Sequence, residues 1–353
     1  MKILVYGAGA VGGYLGGKLA LGGHQVTLVG RPETADAIAR DGLHIVEGDR
    51  THVAPVEAVS ALAEAFAGES HYDLIILGMK SYDLAEAAGR LAAICPNPAQ
   101  VMGTQNGIGV EEIIAGSFGA ERTLAGAVTI PISRARPGRL LIEREGRGLG
   151  LAPVAPGRPI DEWAAMFREA GIRAGARADY RAMKWSKAFL NIMGNATSAI
   201  LNRPPAQLYR QAAVFDLEMG MLRETLAVMR RLGIAVINLP GATARPLARS
   251  LAYAPRFLLR PVFTQVIVHG RGDKMPSFHI DLASGKGQSE VTFHNGAIAA
   301  AAKRTGMAAP INAALNHVLT SLVQGRMNPA TFDGRSDRLL AVIEQFQRNE
   351  VIV

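Results

Sequence analysis

Cysteine is all but missing from this chain. Cys95 stands alone among 353 residues, so no internal disulfide can form; this fits a reducing compartment and makes the cytoplasm the expected location. There is no Cys/His cluster either, so no metal site is expected, and Cys95 reads as an inert thiol. Long apolar runs are also absent. None approaches the roughly 18 residues needed to cross a bilayer, and the first residues enter a strand-like segment without a charged leader, so neither membrane insertion nor export is expected. Aromatic residues are scarce, at 6%, and do not alternate with arginine, which removes the stacking platform that single-stranded nucleic acid requires.

What is present suits a globular protein: 49% of residues are hydrophobic, and the chain is long enough for two ordinary cores. The net charge of +8 is unevenly spread. Between Val228 and Met275 seven arginines and Lys274 face a single acid, Asp273, and elsewhere the charges nearly balance. Arg245/Arg249 and Arg256/Arg260 are each one turn apart; an acidic substrate, a subunit interface and plain solvent all remain open for them. Nucleic acid is not an expected partner.

The first half alternates strand-like and helix-like stretches: "KILVYG", "AVGGYLGGKLALGG", "QVTLVG", "DLIILGMK", "SYDLAEAAGRLAAI" and "QVMGTQNG". That alternation specifies βαβ units and a mostly parallel sheet. Further short strands are expected near residues 123 and 138, then a helix at "DEWAAMFREAG" and a strand near Ile172. Asp179 reads as a helix N-cap, after which helical patterns take over, beginning with "YRAMKWSKAFLNIMGNATSAIL". The expectation is an α/β N-terminal domain over residues 1–177 and a mainly α-helical domain over residues 178–353. The stretch "GATARPLARSLAYAPRFLLRPVFTQ" is ambiguous because of its prolines and arginines.

Gly7, Gly9, Ala10, Val11 and Gly12 form a G-x-G-x-x-G loop that follows one strand, opens a helix and leads to a second strand within about 30 residues. In that context the pattern specifies a dinucleotide-binding Rossmann domain: Gly7 for the tight turn, Gly9 for approach to the pyrophosphate, Gly12 for helix–strand packing. The second strand ends on Gly30-Arg31. An NAD site carries an acid there, whereas a guanidinium suits the 2′-phosphate of NADP, so NADP(H) is the expected cofactor. Lys80 and Asn106 follow later strands, at the ends where an open α/β sheet binds ligands. Either is also an ordinary loop residue.

Lys187, Asn191 and Asn195 are spaced four apart, so a continuous helix would carry them on one face amid apolar neighbours. A polar ligand, a solvated stripe and asparagines bonded to neighbouring helices all explain such a stripe. Ser277 and Glu290 are further polar residues in apolar surroundings; Glu290 also reads as a first-turn glutamate favoured by the helix dipole, with His294 one turn on.

With these positions assembled, the chain resembles the ketopantoate reductase family, the NADP-dependent 2-dehydropantoate 2-reductases, over essentially its full length. "GAGAVGG" with Arg31, "GMKSYD", "TQNGIG", and the pair "KWSKAFLNIMGN" with "SEVTFHNG" carry the resemblance. It implies a Rossmann domain, a helical domain and an active site in the cleft between them. It also implies Lys187 as proton donor, Glu290 as its charge partner or a cofactor contact, Lys80 and Asn106 near cofactor and substrate, and Asn191, Asn195 and Ser277 on the substrate. The expected partner is a small 2-keto acid, with a homodimer left open. Two departures, "LNRPPAQ" with Pro204 and Pro205 and the long basic stretch from about Ala235 to Met275, lie in the domain that selects substrate. A non-catalytic NADPH-binding sensor and an opine-type or sugar-acid dehydrogenase are the competing readings.

Overall fold

The computed structural model of the chain describes residues 1–68, 71–271 and 274–348; Asp273 of the basic stretch lies outside them. Contacts divide the chain into two compact units. The first comprises Met1–Gln105, Gly109–Lys184 and Asn238–Ala242, and the second comprises Asn106–Ile108, Trp185–Ile237 and the chain from Thr243 onward.

Strands of the first unit are β1 (Lys2–Tyr6), β2 (Gln25–Val29), β3 (Leu43–Glu47), β4 (Arg50–Ala54), β5 (Glu57–Val59), β6 (Leu74–Leu77), β7 (Val101–Gly103), β8 (Thr123–Val128), β9 (Ile132–Arg136), β10 (Arg139–Ile142), β11 (Leu149–Pro153) and β12 (Ala174–Ala176). Its helices are α1 (Ala10–Leu21), α2 (Pro32–Asp41), α3 (Leu62–Phe66), α4 (Leu84–Ile94), α5 (Val110–Phe118) and α6 (Asp161–Glu169). The main sheet runs β12-β11-β8-β7-β6-β1-β2-β5. From β5 to β8 neighbours are parallel, whereas β11 pairs antiparallel with β8. β6, sequence LIIL, is buried at every position, as a strand covered on both faces must be. Strand order reverses between β1 and β6. Ligands bind outside the carboxyl ends of such a sheet at that reversal. A smaller sheet, β4-β3-β10-β9, carries the short strands expected near residue 138.

The core of the first unit interleaves Ile3 and Val5 of β1, Leu15 and Leu19 of α1, and Leu74 and Ile76 of β6. Helix α1 approaches the sheet unusually closely. A Cβ on Gly16 would lie 2.7 Å from Leu28 and 2.9 Å from Val5, so only glycine allows this separation.

Helices α7 (Tyr180–Ile192), α8 (Asn195–Leu201), α9 (Pro205–Leu208), α10 (Ala212–Arg231), α11 (Ala244–Tyr253), α12 (Arg256–Arg271), α13 (Ser277–Ala283), α14 (Asn295–Arg304), α15 (Pro310–Val323) and α16 (Ser336–Gln347) follow. Asp179 caps α7, its Oδ1 accepting from the backbone N–H of Arg181 at 2.8 Å and of Ala182 at 3.1 Å. The sequence division at 177/178 and the contact division at Lys184/Trp185 differ by the first turns of α7. Pro205 starts α9 at its first position, where a missing N–H costs nothing, and Asn202 ends α8 with φ 52°. The ambiguous basic stretch folds as α11 and α12 on either side of Pro255, with Pro261 inside α12. No helix among the described residues is long and apolar enough to cross a membrane.

Candidate active site

The glycine loop sits at the β1/β6 reversal. Gly7 has φ 114°, and the N–H groups of Gly7 and Ala8 both donate to Val29 O, tying the loop to the end of β2. A Cβ on Gly12 would lie 2.2 Å from Gly7 O, so the third glycine permits the turn and helix to close on each other. Gly9 is different. A Cβ there would meet only Gly78 O, at 3.9 Å, so the fold itself leaves this side of the loop open. Helix α1 then begins at Ala10 with no side-chain cap and no acid in its first turn. Its N–H groups and positive dipole end are therefore available to an anion, and a dinucleotide pyrophosphate fits this cradle. Arg31 is exposed at the N-terminus of α2, directly after β2, with Pro32 as the first helical residue.

Lys80 and Asn106 stand on the loops that follow β6 and β7. Gly78 N–H donates to Tyr6 O at 2.8 Å, holding the Lys80 loop against the glycine loop. Gln105, which the sequence did not single out, ties the Lys80 and Asn106 loops together: its buried amide Nε2 donates to Leu77 O at 2.9 Å and Met79 O at 3.2 Å. Lys184 and Glu111 were also missed. Their side chains are 2% and 1% exposed and form an ion pair at 2.8 Å without hydrogen-bond geometry. Burial pushes the Glu111 carboxyl up, against the opposing pull of Lys184.

In the second unit the helix carrying the polar stripe is not continuous. α7 stops at Ile192, Gly194 turns the chain at φ 64°, and Asn195 begins α8. Lys187 and Asn191 remain one turn apart and half-buried on α7; Asn195 is buried on a separate helix, so the single face expected for all three is corrected to two plus one. Glu218, another residue the sequence did not flag, braces this break. Its carboxylate, fully buried on α10, accepts from Gly194 N–H at 2.9 Å, Thr197 Oγ1 at 2.6 Å and Tyr209 Oη at 2.8 Å, holding the break in place.

Asn195 reaches Ser277 instead: its Nδ2 donates to Ser277 Oγ at 3.4 Å, and its Oδ1 accepts from Phe278 N–H at 3.1 Å. Glu290 is buried at the start of a 3-10 turn, Glu290–Phe293, rather than of an α-helix. His294 bonds through Nδ1 to the main-chain oxygen of Glu290 at 3.0 Å and sets its ring edge-on to Phe278. The Asn106 loop lies on this turn. Ile108 N–H donates to Phe293 O at 2.8 Å, and Gly107, φ 116°, leaves no room for a Cβ beside Phe293. Asn106 is thereby brought to the segment that carries Glu290.

A doubly wound sheet with an uncapped glycine loop at its reversal, followed by a helical unit, is the plan of a two-domain dinucleotide-binding protein. The chain belongs to the ketopantoate reductase PanE/ApbA family: the family model matches residues 3–148, and the model of its C-terminal part matches residues 179–323. A 2-dehydropantoate 2-reductase of Pyrococcus horikoshii is 29% identical over 329 residues, 92% of this chain and 97% of that protein. Among solved structures, a PanE/ApbA family ketopantoate reductase from Ralstonia eutropha JMP134 superposes with a TM-score of 0.77 at 27% identity, covering 93% of this chain and 100% of that one. D-mandelate dehydrogenase, solved with NADH and anilino(oxo)acetate, gives a TM-score of 0.76 over 92% of this chain and 99% of that one; at 22% identity the likeness concerns the fold alone.

Proposed function

We propose that this protein reduces a 2-keto acid to the 2-hydroxy acid with NADPH, and that 2-dehydropantoate, giving pantoate, is the first substrate to try. One observation carries the reading: α7 is buried along most of its length yet leaves Lys187 and Asn191 half-buried one turn apart, in a family of ketopantoate reductases. A half-buried ammonium and amide one turn apart suit a carboxylate-bearing carbonyl substrate, which uses both.

The glycine loop and the α1 N-terminus would hold the pyrophosphate, and Arg31 the 2′-phosphate. When bound, the reduced nicotinamide supplies hydride to the keto carbon. Lys187 stabilises the negative charge developing on the keto oxygen and delivers the proton that completes the alcohol. Glu290 keeps that ammonium charged or contacts the cofactor; Asn191, Asn195, Ser277 and Asn106 hold the substrate's polar groups. The test is NADPH and NADH oxidation against 2-dehydropantoate and a panel of branched and unbranched 2-keto acids, with Lys187→Ala beside the wild type. The expected loss for Lys187→Ala is about 10²- to 10⁴-fold in turnover with dinucleotide binding retained. A folded Lys187→Ala protein with unchanged turnover would remove Lys187 from the chemistry, and a wild type that binds NADPH but reduces no carbonyl compound would instead favour a binding protein.

A further inference from the structure

Lys184 is the most deeply buried charge on α7. Its ammonium donates to Gln105 O at 2.6 Å and Gly126 O at 3.5 Å and pairs with Glu111 at 2.8 Å. Three segments therefore meet on one nitrogen: the loop after β7, the strand β8, and the first turn of α5. The side chain of Gln105 continues the connection to Leu77 O and Met79 O at the end of β6.

Stability alone is a poor account of this arrangement. Two desolvated charges are costly, and an apolar pair of similar volume commonly serves a core as well or better. What an apolar pair cannot do is direct the Gln105 carbonyl, because a carbonyl is oriented only by a donor. The residue after Gln105 is Asn106, and the residue after Met79 is Lys80. Tyr180 adds a second strut between the same two helices, its hydroxyl bonding Glu112 at 3.2 Å.

We infer that Lys184, held by Glu111 and acting through Gln105, is a positioning residue that fixes the loops carrying Lys80 and Asn106 in their ligand-binding setting. The inference rests on the reading of those loops as cofactor and substrate loops.

The test compares wild type with Lys184→Met, which strands a buried carboxylate and is expected to lose stability, and with Lys184→Met/Glu111→Leu, which removes both charges. Thermal unfolding, NADPH titration, steady-state kinetics and amide hydrogen exchange over residues 78–80 and 104–108 are measured on each. In the double variant, unfolding should return close to wild type, while exchange in both loops accelerates and turnover falls by about 10²-fold, the scale of a misplaced reacting group. NADPH binding should weaken along with it. A stable double variant with wild-type exchange, binding and turnover overturns the inference. Faster exchange in that variant, combined with unchanged NADPH binding and turnover in single Lys80→Ala and Asn106→Ala variants, also overturns it, and locates the failure in the reading of the loops.

Discussion

Asn195 and Ser277 are 82 residues apart in sequence and joined by a hydrogen bond of 3.4 Å, with Asn195 buried and Ser277 exposed. The pairing makes the two residues unequal as experimental targets. Asn195 also accepts from Phe278 N–H in the first turn of α13, so Asn195→Ala removes a helix-terminal bond and should cost about 1 kcal/mol of stability. Ser277→Ala removes an exposed hydroxyl and the long bond it accepts from Asn195 Nδ2, and should leave stability within about 0.5 kcal/mol. Both should raise the KM for the keto acid while leaving NADPH affinity unchanged. Urea unfolding and steady-state kinetics on the two variants check this; a Ser277→Ala enzyme with unaltered KM removes Ser277 from the substrate site.

Gly9 and Gly12 separate fold from ligand. At Gly12 an added Cβ would lie 2.2 Å from Gly7 O, so Gly12→Ala must push α1 off the turn and should destabilise the domain by roughly 2 kcal/mol or more. At Gly9 the backbone has an ordinary φ of −80° and the nearest atom to an added Cβ is 3.9 Å away. Gly9→Ala should therefore melt like the wild type but bind dinucleotide at least about tenfold more weakly, since the methyl occupies the pyrophosphate's approach. Titration of NADPH fluorescence reads the difference. Equal affinity in wild type and Gly9→Ala would show that nothing approaches the loop at that point.

On the proposed reading, Arg31 sets the choice between the two nicotinamide cofactors. A guanidinium bonded to a 2′-phosphate is worth about 1.5–3 kcal/mol, so Arg31→Ala should weaken NADPH binding by about ten- to a hundredfold. NADH binding should be untouched, because the ribose hydroxyl offers no anion. Raising ionic strength should narrow the gap in the wild type, as Arg31 is exposed. A wild type that prefers NADH would reverse the assignment.

How much of this was legible in the sequence follows from the range of the interactions. The βαβ order, the carboxyl-end loops and even the short strands near residues 123, 138 and 172 could be read, because each depends on local periodicity and on turn residues a few positions away. The end of α7 was misjudged for the opposite reason. "NIMGNATS" carries a helical pattern through Gly194, and the turn that Gly194 makes there at φ 64° is held by a carboxylate on α10, 24 residues away. Lys184 and Glu111, 73 positions apart, gave no signal at all, since two single charges on separate helices become a pair only in the folded core. Lys80 and Asn106 could be named from their place after strands, Lys187 from its four-residue spacing to Asn191 and Glu290 as a polar residue in apolar surroundings; only the family resemblance supplied their roles.

Glu218 is the residue whose loss should reach furthest from its own position. It accepts three hydrogen bonds with its two oxygens and is fully buried, so no water replaces it. Glu218→Gln keeps the volume but turns one acceptor into a donor: Oε2 accepts from both Gly194 N–H and the Tyr209 hydroxyl, and Oε1 from the Thr197 hydroxyl. The backbone N–H cannot accept, so the amide will keep its oxygen at the Oε2 position and turn its nitrogen on Thr197 Oγ1, which must give up its own donated bond to accept. The variant should then lose about 1–3 kcal/mol of stability, the cost of one misplaced buried bond, while remaining folded. Glu218→Ala leaves all three donors unsatisfied and a cavity besides, and should lose more. Because Gly194 N–H immediately precedes Asn195, the kinetic effect of Glu218→Gln should fall on the keto acid KM and on turnover, with NADPH affinity retained. Equilibrium unfolding in urea and a KM and kcat determination on the same preparation decide it: a stability loss with unchanged kinetics would mean that Glu218 braces the helix break without setting Asn195.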